Sequence, residues 1–156
     1  MIQRIQSVFL LAATVLSVIV IFHPISYITY GELQLKAEFM TYGLMSLGEN
    51  PELLYNTFPI IILAALTAML TVVTIFVYKN RTLQMRICVF NILLNIGLMI
   101  SILIYYILIK KNFMVTMHSF SYSVLFPFVN IILIFQAFRG IRRDDLLLKS
   151  YNRLRD

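Results

Sequence analysis

Gln84, Cys88, Asn91 and Asn95 follow one another at spacings of four, three and four, the first just before an apolar run and the other three inside it. On a helix that spacing gathers them into one stripe. Ser123, Pro127 and Asn130 repeat the pattern in a later run, and Thr67, Thr71 and Thr74 do so in an earlier one. Amide and hydroxyl side chains in such a setting have two uses. They can bond across to neighbouring helices, which is worth about 0.6 kcal/mol per pair in membranes. They can also line a cleft for a small lipid-soluble molecule, with Asn91, Asn95, Asn130 and Tyr105 as its wall. Interhelical bonding is the expectation, and a site for a quinone or a lipid is the alternative.

His23 and His118 each flank an apolar run. Together they could serve a metal, a haem or a quinone, with Glu32, Glu49 or Glu52 as a third metal ligand. Two histidines without a fixed spacing specify little, so two unrelated residues, no metal and no cofactor are expected. Cys88 is the only cysteine, which rules out an intrachain disulfide and a cysteine metal cluster. It is expected to be a small packing residue. There is no HExxH, no GxSxG and no phosphate-binding glycine motif. No enzyme is expected.

The elements that carry these residues are long stretches without a charge: 5–22, 58–78, 87–109 and 120–138. Each is near the roughly 20 residues that a helix needs to cross a bilayer. Lipid would force all four to be helical, because each backbone polar group must be satisfied within its own segment. Composition agrees. The chain is 60% apolar and 13% charged, against about 45–50% and about 25% in soluble domains. No Asp, Glu, Lys, Arg or His lies mid-span, which argues against a proton pump, an ion-coupled carrier or a voltage sensor.

Lysine and arginine set the orientation. Arg4, the 79–86 loop and the tail from Arg139 hold ten of the 13 basic residues, and the intervening loops hold only Lys36, Lys110 and Lys111. Both ends are therefore expected in the cytoplasm, in a multi-pass protein of the cell's inner (plasma) membrane. The net charge of +6 reads as topology and as attraction to membrane lipid, with no nucleic acid partner. The 19–24 segment offers no small-x-small cleavage site, so the first span is expected to stay uncleaved.

The outer loop, 24–57, reads as a hairpin. Tyr27–Tyr30 and Leu33–Phe39 flank a type II′ turn at Gly31-Glu32, with Tyr30 opposite Leu33 and Ile28 opposite Leu35. Gly43, Gly48 and the 49–52 segment read as turns and the start of a short helix. Gly140 suits the C-terminal cap of the fourth helix. Asp144-Asp145 suits the start of a separate amphipathic helix. That helix would carry Leu147, Tyr151 and Leu154 on one face, and Arg142, Arg143, Lys149 and Arg153 for anionic lipid or a docked protein. Ala13-xxx-Ser17, Ala64-xxx-Ala68 and Gly97-xxx-Ser101 suit close helix packing.

The fold class is thus an all-α membrane protein in one domain, 1–156: a four-helix bundle with a hairpin-containing outer loop and a C-terminal amphipathic helix. Three stretches also carry a resemblance: MIQRIQSVFLLAA at 1–13, QMRICVFNILLN at 84–95 and RGIRRDDLLLKSYNRLR at 139–155. Together they resemble an uncharacterised family of small four-helix membrane proteins of the Bacteroidetes. The closing segment departs from it in Tyr151-Asn152, where an acidic residue is expected before Arg153. The resemblance implies an inner-membrane location and four spans, and it brings no activity or catalytic residue. The expected function is a non-enzymatic scaffold or accessory subunit of a larger membrane assembly, with membrane lipid and other membrane proteins as partners.

Overall fold

The computed structural model describes residues 2–31, 34–48, 51–113 and 115–153, and side chains between 5 and 147. Its long elements are the helices α1 (Ile2–Phe22), α2 (Phe58–Phe76), α3 (Arg81–Asn112) and α4 (Phe126–Arg153). All four are long and apolar enough to cross a membrane. Each packs on two others, in the cyclic order α1, α2, α3, α4.

The helices bury their polar residues and expose their large apolar ones. Thr67, Thr71, Asn91, Asn95 and Asn130 face inward, while Ile62, Met69, Leu93, Leu103, Ile107 and Phe128 face outward. Only 28–33% of each apolar window is buried. A helix in water turns its apolar stripe to the core, and this reversed pattern leaves an apolar outer surface of the kind lipid covers.

An all-α fold is corrected. Between and after the helices lie β1 (Ser26–Tyr30), β2 (Leu35–Phe39), β3 (Gly43–Ser46), β4 (Leu53–Asn56) and β5 (Val115–Phe120). They form one antiparallel sheet in the order β4-β3-β2-β1-β5. The molecule is therefore not a plain four-helix bundle. The expected hairpin is present, but two residues out of register: Tyr30 pairs with Leu35 and Ile28 with Ala37. The link is 31–34, with Gly31 and Gln34 both at positive φ. A shift of two keeps every side chain on its face, so Ile28, Ala37 and Phe39 still pack inward together.

The 49–52 segment does not lead into a helix, and Gly43 is not a turn residue. Gly43 opens β3 because β4 runs close beside it. A Cβ there would meet the Leu53 side chain and sit 2.7 Å from the Tyr55 carbonyl. The connection after α3 is not only a loop. It contains β5, which pairs with β1 and gives that strand a neighbour on its second side.

The sheet caps the helices at one pole. Ile25, Ile28, Phe39 and Leu44 share a core with Ile60, Ala64, Leu98, Ile102 and Ile109. Edge-on rings strengthen the seam, Tyr30 against Phe113 at 5.8 Å and Tyr55 against Tyr105 at 6.4 Å.

At the opposite pole α4 runs unbroken through Gly140 to Arg153. This corrects both the cap at Gly140 and a separate helix starting at Asp144. Gly140 lies where α1 crosses α4, and a Cβ on it would stand 2.8 Å from the Gln6 Cγ. Close approach, not a left-handed cap, is the reason for glycine here. Gly97 is the converse: read from the sequence as a packing residue, it has open space beside its Cα. Ala13 and Ser17 do lie buried at helix contacts.

Candidate functional site

The polar stripe of α3 meets the threonine stripe of α2. Each threonine first satisfies itself, because Thr67, Thr71 and Thr74 donate to the carbonyls of Ala64, Thr67 and Leu70, respectively, in their own helix. That leaves their oxygens free to accept. The Asn91 Nδ2 donates to the Thr71 Oγ1 at 2.7 Å, and the Gln84 Nε2 donates to the Thr74 carbonyl at 3.0 Å. Asn95 lies one turn further along and donates to the Asn91 carbonyl at 2.9 Å. Cys88 is buried among Ala13, Ile134 and Ile141, a packing residue.

A second polar contact joins α4 to α1. The Asn130 Nδ2 donates to the Ser17 Oγ at 2.9 Å, and Ser17 donates to the Ala13 carbonyl. Ser123, in a 3-10 turn before α4, is buried too. The sequence-derived stripe Gln84, Asn91, Asn95 and Asn130 thus lies in the helix contacts, split between two helix pairs. Two of its oxygens, the Asn95 Oδ1 and the Asn130 Oδ1, are buried without a protein hydrogen-bond partner.

Sequence reasoning missed a third polar contact. Asp144 is 8% exposed, accepts a 2.7 Å hydrogen bond from the Gln6 Nε2 and lies 4.0 Å from the Arg81 guanidinium. Three helices, α1, α3 and α4, meet at this carboxylate. The clue was an acidic residue on the same face of a long helix as Ile134 and Ile141. The apparent helix start at Asp144-Asp145 hid it. This contact also brings the first residues of α1, the α2–α3 turn and the far part of α4 to one pole. Lys79, Arg81, Arg86, Arg139, Arg142 and Arg143 gather at that end.

The two histidines have separate surroundings. His23 lies just beyond α1, exposed, with its backbone N–H bonded to the Ile19 carbonyl. His118 is in β5, its ring edge-on to Tyr106 at 5.9 Å and to Phe120 at 5.6 Å. Among the described residues no group of three or more His, Cys, Asp and Glu side chains could hold a metal. Glu32 and Glu49 lie outside them. In the tail, Arg142, Arg143 and Leu147 are exposed on α4. Lys149, Tyr151 and Arg153 continue that helix, and their side chains, like Leu154, lie outside the described residues.

The outward face of the sheet is a further surface that sequence reasoning did not single out. Tyr27, Thr29, Lys36, Leu47, Met117 and Ser119 border a shallow cleft of about 420 Å³ across β2, β1 and β5. Met117 is 70% exposed there and Leu47 51%.

No protein of curated function matches this chain. Residues 2–154 match the family described as a domain of unknown function, DUF4293, and the chain belongs to that family.

Proposed function

We propose that this chain is a non-enzymatic scaffold or accessory subunit of a larger assembly in the cell's inner (plasma) membrane, crossing it four times with both ends in the cytoplasm. The observation that carries the scaffold reading is the outward face of the sheet. Tyr27, Leu47 and Met117 are exposed apolar side chains at the pole of the molecule, away from the helical belt that lipid would cover. Exposed apolar side chains around one cleft suit a protein partner, and Lys36 beside them suits a partner with an acidic residue. The orientation is supported by the basic residues gathered at the opposite pole. The tyrosines of α3 near the sheet, Tyr105 and Tyr106, suit a bilayer interface.

A photo-crosslinking residue at position 117 tests this reading in the native membrane, with the same residue at position 62, on the apolar belt, as control. One discrete adduct from position 117, lost on Tyr27→Asp with the protein still folded, is expected. A lone monomer, purified in mild detergent from native expression without stoichiometric partners, would overturn it.

A second reading, a binder or facilitator of a small lipid-soluble molecule, draws on the Asn95 and Asn130 oxygens that lack partners. A quinol or lipid hydroxyl could donate to either. Native mass spectrometry that finds no such molecule retained would remove this reading for tight ligands.

A further inference from the structure

Two clefts near the basic pole share one residue, Arg86. The first, about 530 Å³, lies beside the α2–α3 turn and is bordered by Lys79, Arg81, Thr82, Arg86 and Asp145. Three cations face Asp145 there, and one of them, Arg81, also lies 4.0 Å from Asp144. The second, about 340 Å³, is a groove on the outer surface of α3 and α4, lined by Met85, Val89, Phe90, Leu93 and Phe138, with Arg86 at its end. Its wall is almost wholly apolar. Arg86, Val89, Phe90 and Leu93 stand at i, i+3, i+4 and i+7 on α3, so the groove climbs one helix face for roughly 10 Å.

A free anion would use only the basic cleft, and a neutral apolar molecule only the groove. One molecule that uses both has an anionic head and a hydrocarbon chain set at right angles to the membrane surface. Arg86 marks the boundary between them, at the end of an apolar span, where a headgroup meets its acyl chain. We propose that the Lys79–Arg81–Arg86 cleft and the groove above it form one binding site for an anionic phospholipid of the surrounding membrane. The site lies on the outer surface of α3 and α4, apart from the buried asparagines. It rests on the reading that these helices span a bilayer.

The test places the protein in nanodiscs containing equal amounts of dioleoylphosphatidylglycerol and dioleoylphosphatidylcholine, and counts the lipids co-retained in native mass spectrometry. Each cation near an anionic surface contributes about fivefold in affinity, so phosphatidylglycerol should be retained on the order of tenfold more than phosphatidylcholine. Lys79→Gln with Arg86→Gln should bring the two to near parity. Lys110→Gln with Lys111→Gln removes the same charge at the other end of α3 and should leave the preference intact. Val89→Phe fills the groove and should lower retention of both lipids without changing their ratio. Equal retention of both lipids by the unmodified protein would overturn the site, as would an equal loss of preference in the two charge variants. Retention untouched by Val89→Phe would overturn its acyl half. Release of the protein from membranes by alkaline carbonate would instead overturn the membrane reading itself.

Discussion

At the scale of single residues, the asparagines of α3 are informative because each has a donor and an acceptor to place in an apolar setting. Asn91 resolves this by donating to Thr71, whose own hydrogen goes to Thr67. The stripe was legible from spacing alone, since 4-3-4 fixes a helix face whatever the helix packs against. Its partners were not, because nothing in the order of residues states which thread of α2 lies opposite. Asp144 was misread for the same reason: its hydrogen-bond donor, Gln6, is 138 positions away. The Asn91 bond gives a direct test. Thr71→Val keeps the shape but strands the Asn91 amide, and leaving a buried donor unpaired costs about 1–3 kcal/mol. Measured interhelical bonds in membranes average about 0.6 kcal/mol, so a loss near 1 kcal/mol is expected in reversible unfolding in mixed micelles. Thr71→Ser, which keeps the hydroxyl, should lose little. A loss from Thr71→Ser with none from Thr71→Val would mean that the bond contributes nothing and only the methyl group matters.

At the scale of elements, the four apolar helices were legible and the strands mostly were not. Length and lack of charge identify a membrane-compatible helix without knowledge of its neighbours. A strand such as β5, by contrast, exists because β1 is there to pair with it, nearly ninety positions earlier. The hairpin was visible through the alternation of Leu35, Ala37 and Phe39, and it slipped by two because loop length is set by backbone geometry at Gly31 and Gln34. The continuity of α4 turns on Gly140, and here a substitution can separate two explanations. Alanine inside an unstrained helix is favoured over glycine by about 1 kcal/mol. At position 140 that gain is offset, because the new methyl would press on the Gln6 Cγ. Gly140→Ala is therefore expected to be neutral or destabilising alone, yet stabilising by up to about 1 kcal/mol in a Gln6→Ala background. A left-handed cap at position 140 would instead make alanine unfavourable in both backgrounds, and the denaturation midpoints of the four proteins would show it.

At the scale of the whole molecule, α3 and α4 are longer than a bilayer requires. With 32 and 28 residues, they extend about 48 and 42 Å, against a hydrocarbon core of about 30 Å. In a bilayer the surplus would emerge into headgroups or water. The charges divide accordingly: Lys110 and Lys111 close α3 at the sheet pole, while Arg81 and Arg86 open it at the other. In the proposed orientation, the bias of Lys79, Arg81, Arg86, Arg139, Arg142 and Arg143 toward one pole would keep that end in the cytoplasm, because short basic segments resist translocation. The sheet, with its outer cleft, would then lie on the opposite side, where its partner would have to be found. In a Cys88→Ser background, Lys36→Cys and Ser119→Cys should react with a membrane-impermeant maleimide in intact cells. Asn80→Cys and Arg142→Cys should react only after the membrane is opened. Reversed labelling would place the sheet in the cytoplasm, while labelling of all four positions in intact cells would mean that the apolar helices do not cross the membrane. Either pattern would remove the basis for a partner on the outer face. The expected one would confine the search for that partner to the side of the membrane that Met117 faces.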